Sequence, residues 1–254
     1  MIIGINGKLG SGKDTVGKIV QYLLCKNVGD ISIEEIISCN DHDWWLDEQS
    51  KFEIKKFAGK LKQIGSILSG VPVEKFEDQE FKKLNMGSDW DHELVGEDWV
   101  DLKPVLVPMT YREFLQKLGT EAMRDGLHTN VWVNALFADY KGFVKEWDEF
   151  GNDLLVEYPN WLITDMRFPN EMEAVVEKGG LTIRVSRKLK IGSEDYGYTY
   201  VDVKQAVKDG IMAPEHPSET ALDNSTFDYE IVNDGTIKEL AEKVQIILIK
   251  EGLL

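Results

Sequence analysis

Residues 7–13, GKLGSGK, have the types and spacing of a loop that binds phosphate. Gly7, Gly10 and Gly12 permit backbone angles that other residues avoid, so consecutive N–H groups can point inward and form an anion nest. The loop follows a short apolar strand and precedes a helix near Lys13, as the pattern G-x-x-x-x-G-K requires. That helix adds unpaired N–H groups and a positive dipole end, while the lysine reaches the terminal phosphates. A glycine-rich turn that binds nothing is the disfavoured alternative. The segment predicted to bind nucleotide phosphates comprises Gly10, Ser11, Gly12, Lys13, Asp14 and Thr15.

Asp14 departs from the usual pattern, in which a hydroxyl residue at this position ligates Mg²⁺, and Thr15 lies one position later. One explanation is that Asp14 contacts magnesium through water. The other is that nucleotide oxygens and other carboxylates hold the ion. An acidic residue also suits a first helical turn on electrostatic grounds alone. We expect a mixed role for Asp14.

A second predicted magnesium-site residue is Asp165, which follows the apolar segment WLIT. In a parallel sheet this strand end would lie beside the phosphate loop, where a carboxylate can hold the water shell of Mg²⁺. Its alternative role is a helix cap. Arg167 would point towards bound phosphates, unless it forms a surface salt bridge. The predicted catalytic residues are therefore Lys13, Asp165 and Arg167.

Residues 111–132 contain a second set of side chains suited to phosphate. Arginine presents a planar fork that grips phosphate at two points, and this segment has Arg112 and Arg124. Thr120 and Glu121 could hydrogen-bond a base or a sugar, and Trp132 could stack on a base or wall a pocket. Each residue alone is typical of an ordinary helix. Together with a phosphate loop, they predict an acceptor site.

Short apolar segments alternate along the chain with segments whose apolar residues have helical spacing. These elements must position the residues described above. The alternation predicts an α/β fold whose parallel sheet is covered by helices on both faces. The predicted strands are residues 2–5, 52–57, 161–164, 181–185 and 229–233. Helices are predicted at 111–124 and from Thr236. Another predicted helix has on one face Val133, Leu136, Phe137, Tyr140 and Val144.

We interpret the chain as a single P-loop domain with an insertion at about 72–108 and a lid at about 188–220. The lid is indicated by a basic cluster that precedes an irregular stretch ending in HPSE. A basic lid would exclude water and neutralise phosphate charge as it closes. A solvated strand end is the alternative. The basic cluster comprises Arg184, Arg187, Lys188 and Lys190.

The composition excludes several classes of partner. The chain has 254 residues and a net charge of −16, which repels duplex DNA and anionic membranes because binding to them needs clustered Lys and Arg. No apolar run reaches the roughly eighteen residues of a membrane span. The only two cysteines, Cys25 and Cys39, have no metal-site spacing, so we expect reduced thiols in a cytoplasmic protein.

The motifs GKLGSGKDT, FAGKLKQ, LQKLGTEAMRDGLHTNVWVNALF, TDMRFPNEMEAV, HPSE and IVNDGTIKEL occur in this order along the chain. In order and approximate spacing the chain resembles the bacteriophage-type deoxynucleoside monophosphate kinases, in which an Asp after the loop lysine is usual. The resemblance implies a five-stranded parallel sheet. It also implies Mg²⁺-assisted transfer of the γ-phosphate of ATP to a deoxynucleoside monophosphate, a possible homodimer, and small nucleotides as the partners.

The resemblance also implies roles for particular residues. Lys13 and the loop amides would bind ATP phosphates, and the segment Asn233–Gly235 would wrap the donor adenine. The residues implied to bind the acceptor are Lys62, Gln63, Arg112, Thr120, Glu121, Arg124, Trp132, Arg167 and Glu171. Phosphoryl transfer depends mostly on positioning and charge neutralisation, so we expect no protein nucleophile. Two alternatives stay open: a kinase for another small acceptor such as dephospho-coenzyme A, and a non-catalytic nucleotide-binding module.

Overall fold

The computed structural model describes residues 1–26, 31–38, 43–94, 105–147, 153–187, 189–193, 197–201 and 217–254. In these residues the strands are β1 (Ile2–Asn6), β2 (Phe52–Lys55), β3 (His92–Leu94), β4 (Val105–Val107), β5 (Phe143–Trp147), β6 (Asp153–Glu157), β7 (Asn160–Met166), β8 (Leu181–Ser186), β9 (Leu189–Ser193), β10 (Gly197–Val201) and β11 (Tyr229–Val232). The α-helices are α1 (Lys13–Leu23), α2 (Ile33–Ser38), α3 (Asp43–Gln49), α4 (Phe57–Ser69), α5 (Tyr111–Gln116), α6 (Val131–Phe137), α7 (Pro169–Glu177), α8 (Pro217–Thr220) and α9 (Ile237–Lys250).

The chain forms two compact units, the first comprising Met1–Lys56 with Phe137–Leu254 and the second Phe57–Leu136. In the described part of the first unit, five strands form one sheet in the order β11-β8-β1-β7-β2, and every pairing is parallel. The predicted α/β class and five-stranded parallel sheet are confirmed. The insertion predicted at 72–108 falls within the second unit, and its residues 95–104 lie outside the described part.

Apolar residues explain how helices cover both faces of this sheet. Ile3 and Ile5 of β1 are fully buried in a core that includes Val16 of α1 and Val244 of α9. Gly4 points to the opposite face, where an added Cβ would lie 3.3 Å from Val175 of α7. Helix α9 begins where predicted: Thr236 accepts a hydrogen bond from the Glu239 N–H (3.2 Å), and the Glu239 carboxylate accepts one from the Thr236 N–H (2.7 Å).

Two predicted elements end earlier than expected. The strand predicted at 52–57 stops at Lys55, because Phe57 begins α4. The helix predicted to extend from Val133 through Val144 was wrong in its second half. It ends at Phe137, and Val144 lies in β5, which pairs with β6 as an antiparallel hairpin. Tyr140 instead packs its ring 4.8 Å from that of Trp161, so aromatic packing produced the helix-like spacing.

The second unit has its own apolar core. Phe76, Phe114, Leu115 and Leu118 are buried together, so the predicted insertion supplies core as well as surface. In the part of the insertion that the structure describes, short 3₁₀ helices lie at Val73–Phe76, Phe81–Lys83 and Ser88–Trp90. The helix predicted at 111–124 is present, but after Gln116 it continues as a π-helix, Lys117–Asp125.

Candidate active site

The phosphate loop joins β1 to α1 and adopts the predicted backbone. Gly10 and Gly12 have φ angles of 77° and 93°, in the left-handed region that glycine enters without strain. Gly7 is required for a different reason, since a Cβ there would lie 2.4 Å from the Ser11 hydroxyl and 2.7 Å from the Val185 carbonyl oxygen. The glycines therefore allow both the curvature of the loop and its close approach to β8.

Polar groups inside the loop suit an anion. The Ser11 hydroxyl is buried and has no hydrogen-bond partner among the described residues. Lys13, the first residue of α1, is also buried, with 7% of its surface exposed. A buried hydroxyl without a partner and a buried cation are both costly in a protein interior. A phosphate group, with several acceptor oxygens and negative charge, would satisfy both.

Asp14, in the first turn of α1, is held by two neighbours. Its Oδ1 accepts a hydrogen bond from the Thr164 hydroxyl (3.1 Å) and lies 3.3 Å from the Lys56 ammonium. Partial burial raises the pKa of this carboxyl, but the charges of Lys56 and Lys13 and the hydrogen bonds outweigh that effect, so the pKa is lowered overall. Asp14 is therefore ionised at neutral pH, which its predicted contact with Mg²⁺ requires.

We expect an Asp14→Ser variant to retain measurable phosphate transfer. The predicted role of Asp14 is shared with other oxygens, so we expect turnover to fall by about tenfold, equivalent to about 1.4 kcal/mol, and not to be abolished. The ratio of variant to wild-type turnover should stay constant across neutral pH, because the carboxylate remains ionised throughout that range. An ADP-release assay measures this. Complete inactivity with an unchanged circular-dichroism spectrum would contradict a shared role.

Asp165 lies at the same edge of the sheet as the phosphate loop. Strand β7 pairs with β1, and the Asn6 side-chain amide donates to the Met166 carbonyl (2.8 Å), which ties the two strand ends together. The register shifts between Gly4 and Asn6, so that three steps along β7 match two along β1. A bulge of this kind changes the direction of nearby side chains and is frequent beside active sites. Asp165 lies within it, half-buried.

Glu171 has a structural role. Its buried carboxylate accepts hydrogen bonds from the backbone N–H groups of Arg167 (2.7 Å) and Phe168 (3.1 Å) and so caps α7. The predicted acceptor contact of Glu171 stays a prediction, and it would have to share this carboxylate with the helix end.

Sequence reasoning missed Glu219, the last residue of HPSE. One carboxylate oxygen of Glu219 accepts from the Arg167 guanidinium, and the other accepts from the Leu9 N–H (3.0 Å) of the phosphate loop. Nearby, Asp223 forms an ion pair with Lys8 (3.7 Å). The end of the predicted lid, at Glu219, and Asp223 just after it therefore contact the loop directly. HPSE was recognised as a motif, but nothing in its composition indicated a contact so distant along the chain.

The residues predicted to wrap adenine lie after β11. The Asn233 side chain donates to the Ser11 carbonyl (2.9 Å), so it contacts the phosphate loop itself. Gly235 is exposed, and an added Cβ there would collide with the carboxylate of Glu239. Asn233 is thus brought to the phosphate loop, although by a contact that sequence reasoning did not anticipate.

The predicted acceptor residues in the second unit differ in exposure and in their contacts. Lys62, on α4, forms an ion pair with Glu77 (2.6 Å), and the exposed Arg112 donates to the Gln79 side chain (3.0 Å). Arg124 is half-buried in the π-helix. Three are exposed and make no side-chain hydrogen bond or ion pair with the described residues, namely Gln63, Thr120 and Glu121.

Trp132 holds the π-helix in place. Its indole N–H donates to the Gly119 carbonyl (2.9 Å), and only 5% of its surface is exposed. Gly119 itself allows close approach of α4, since an added Cβ would lie 2.9 Å from Leu61. So little exposed surface disfavours a stacking platform, and the role of Trp132 as a pocket wall stays a prediction. Short π-helical segments often occur at functional sites, which agrees with a binding role here.

The predicted basic cluster is only partly available to a ligand. The Arg184 guanidinium donates to the carbonyls of Leu222 and Asp223 and lies 4.4 Å from the Phe227 ring, so Arg184 is structural. Arg187 is exposed. The first part of the predicted lid is the antiparallel hairpin β9–β10. Lys188 and residues 194–196 and 202–216 of the predicted lid lie outside the described residues, and so does the side chain of Lys190.

The described residues contain no group of three His, Cys, Asp or Glu side chains that could hold a metal ion. Mg²⁺ is commonly bound through one or two carboxylates together with substrate phosphates, and Asp14 and Asp165 fit that arrangement. No helix in the described ranges is long and apolar enough to cross a membrane.

Comparison with known proteins identifies two relatives. No protein-family model matches the chain. The deoxynucleoside-5'-monophosphate kinase of Escherichia phage T5 is 25% identical over 258 residues, covering 92% of this chain and 89% of the relative. A putative deoxynucleotide monophosphate kinase of Acanthamoeba polyphaga mimivirus is 28% identical over 145 residues, covering 53% of this chain and 59% of the relative. Both confirm the resemblance that the motifs indicated.

Proposed function

We propose that this chain is an enzyme that transfers the γ-phosphate of ATP to a deoxynucleoside monophosphate and produces the diphosphate and ADP. The observation that carries the proposal is similarity over 92% of the chain to a protein named for this activity. The loop of Gly10, Gly12 and Lys13 supports it independently, because its backbone and its buried lysine suit nucleotide phosphates.

The proposed mechanism assigns the donor to the first unit. Loop N–H groups, the Ser11 hydroxyl and the Lys13 ammonium bind and orient the ATP phosphates, and Arg167 neutralises charge on the group being transferred. Asp14 and Asp165 would hold Mg²⁺, which when bound neutralises phosphate oxygens. Positioning and electrostatics account for the reaction, so no covalent intermediate on the protein is invoked.

The proposed acceptor residues in the second unit lie on α4, the π-helix and α6. The guanidinium group of Arg124 would grip the acceptor phosphate at two oxygens, and Arg112 would do so after releasing Gln79. The exposed Thr120 and Glu121 are available to a base or a sugar. Small nucleotides are accordingly the proposed partners, since the net charge of −16 disfavours polyanions.

A coupled ADP-release assay with a panel of acceptors tests the function. We expect acceptor-dependent turnover with one or more deoxynucleoside monophosphates. The panel includes ribonucleoside monophosphates and dephospho-coenzyme A, and a reaction without acceptor is the control. Turnover only with dephospho-coenzyme A would replace the proposed acceptor class. Slow hydrolysis that is independent of every acceptor would favour a regulatory nucleotide-binding module.

A further inference from the structure

We propose that Asn233 is a positioning residue that fixes the orientation of the Ser11–Gly12 peptide in the phosphate loop and acts on phosphate binding, not on the base. The inference rests on the proposed binding of nucleotide phosphates at this loop. It assigns the Asn233 side chain a different role from the adenine contact that sequence resemblance implied.

The contact is direct and specific to this peptide. The Asn233 Nδ2 donates to the Ser11 carbonyl oxygen at 2.9 Å. The same Nδ2 stands only 2.4 Å from where a Cβ on Gly12 would lie, so the amide packs against the next residue as well. In a trans peptide, the C=O and the following N–H point in opposite directions. Holding the Ser11 C=O towards Asn233 therefore holds the Gly12 N–H away from it.

The backbone that carries the Asn233 side chain is held in place on both sides. The Asn233 N–H donates to the Ser186 carbonyl at the end of β8 (2.8 Å), which extends the parallel pairing of β8 with β11. On the other side, the Lys243 ammonium donates to the Val232 carbonyl and the Asp234 carboxylate, both at 2.7 Å. A side chain fixed on sheet ends can hold a binding group more accurately than a loop can.

The orientation of the Ser11–Gly12 peptide needs an external restraint because Gly12 has no side chain to restrict its backbone. With φ at 93° and no side chain, Gly12 can rotate, and the Ser11–Gly12 peptide can turn its N–H away from an anion. The hydrogen bond from Asn233 opposes that rotation. Losing it should lower the fraction of loops ready to bind phosphate, which raises the apparent dissociation constant in proportion.

Inorganic tripolyphosphate separates this role from a base contact, because it carries three linked phosphates and no base. We expect Asn233→Ala to weaken calorimetric binding of tripolyphosphate and of ATP by the same factor, about tenfold, as expected for one lost hydrogen bond. The KM for ATP should rise by that factor while the KM for the acceptor stays unchanged. Asn233→Asp keeps the shape but puts a carboxylate beside a carbonyl oxygen, so its loss should be larger.

Asn224→Ala, which removes an exposed amide in the same unit, is the matched control and should bind like the wild type. If the variants lose ATP affinity but bind tripolyphosphate normally, Asn233 contacts the base and the inference is wrong. Unchanged binding of both ligands in Asn233→Asp would overturn it too. Wild-type turnover in the acceptor panel is measured separately, so a failed kinase assay and a failed positioning role give different results.

Discussion

Replacing Lys13 with alanine is expected to lower turnover by about 100- to 1,000-fold, the usual effect of removing a group that stabilises charge on a transferring phosphate. The lysine begins α1 and is buried, and the buried Ser11 hydroxyl two residues earlier has no hydrogen-bond partner among the described residues. The measurement is turnover in the coupled ADP-release assay at saturating ATP and acceptor.

The matched control is Lys26→Ala, which removes an exposed lysine shortly after α1 and should change turnover less than twofold. Circular dichroism establishes that both variants are folded. Near-normal turnover in a folded Lys13→Ala variant would mean that the loop does not hold the transferred phosphate, and the proposed mechanism would then be wrong.

Replacing Arg124 with alanine is expected to have an effect of similar size through the acceptor. The half-buried Arg124 lies in a π-helix held by the hydrogen bond from Trp132 to Gly119. Loss of its guanidinium group removes a two-point grip on phosphate, so turnover should fall by about 100-fold or more. Binding of tripolyphosphate should not change, because the proposed donor loop belongs to the other unit.

Two further variants make the result specific. Arg124→Lys keeps the charge without the planar fork and should recover only part of the activity. Lys83→Ala removes a cation from the same unit at a site whose side chain is 61% exposed, and it should behave like the wild type. Full activity in Arg124→Ala would remove this arginine from the acceptor site, and equal loss in Lys83→Ala would indicate a general charge effect.

Local patterns predicted the backbone of the phosphate loop because the interactions that shape it are local. The curvature of a phosphate loop comes from Gly10 and Gly12, and the adjacent strand and helix have clear periodicity. Asp165 could be placed at the correct edge because parallel strands end on the same side. The shape of the loop depends on sequence neighbours, whereas the position of Asp165 follows from the general geometry of a parallel sheet.

Other features depend on contacts between residues far apart in the chain. The hydrogen bond from Leu9 to Glu219 joins residues 210 positions apart, and the one from Asn233 to Ser11 spans 222. The spacing of residues within a short segment cannot indicate a hydrogen bond between residues so far apart in the chain. Tyr140 misled the helix prediction for a related reason, since its apolar position is explained by packing against Tyr158 and Trp161.

The carboxylate of Glu219 already accepts from the Leu9 N–H and from Arg167. An anion that binds these donors must displace the Glu219 carboxylate. The net charge beside the loop therefore changes by less than the charge of the ligand. Because Glu219 is tethered, it is present at a high effective concentration that no dilution reduces. A ligand that binds the loop at several points can displace the Glu219 carboxylate. A single inorganic phosphate makes fewer contacts and competes with that carboxylate less effectively.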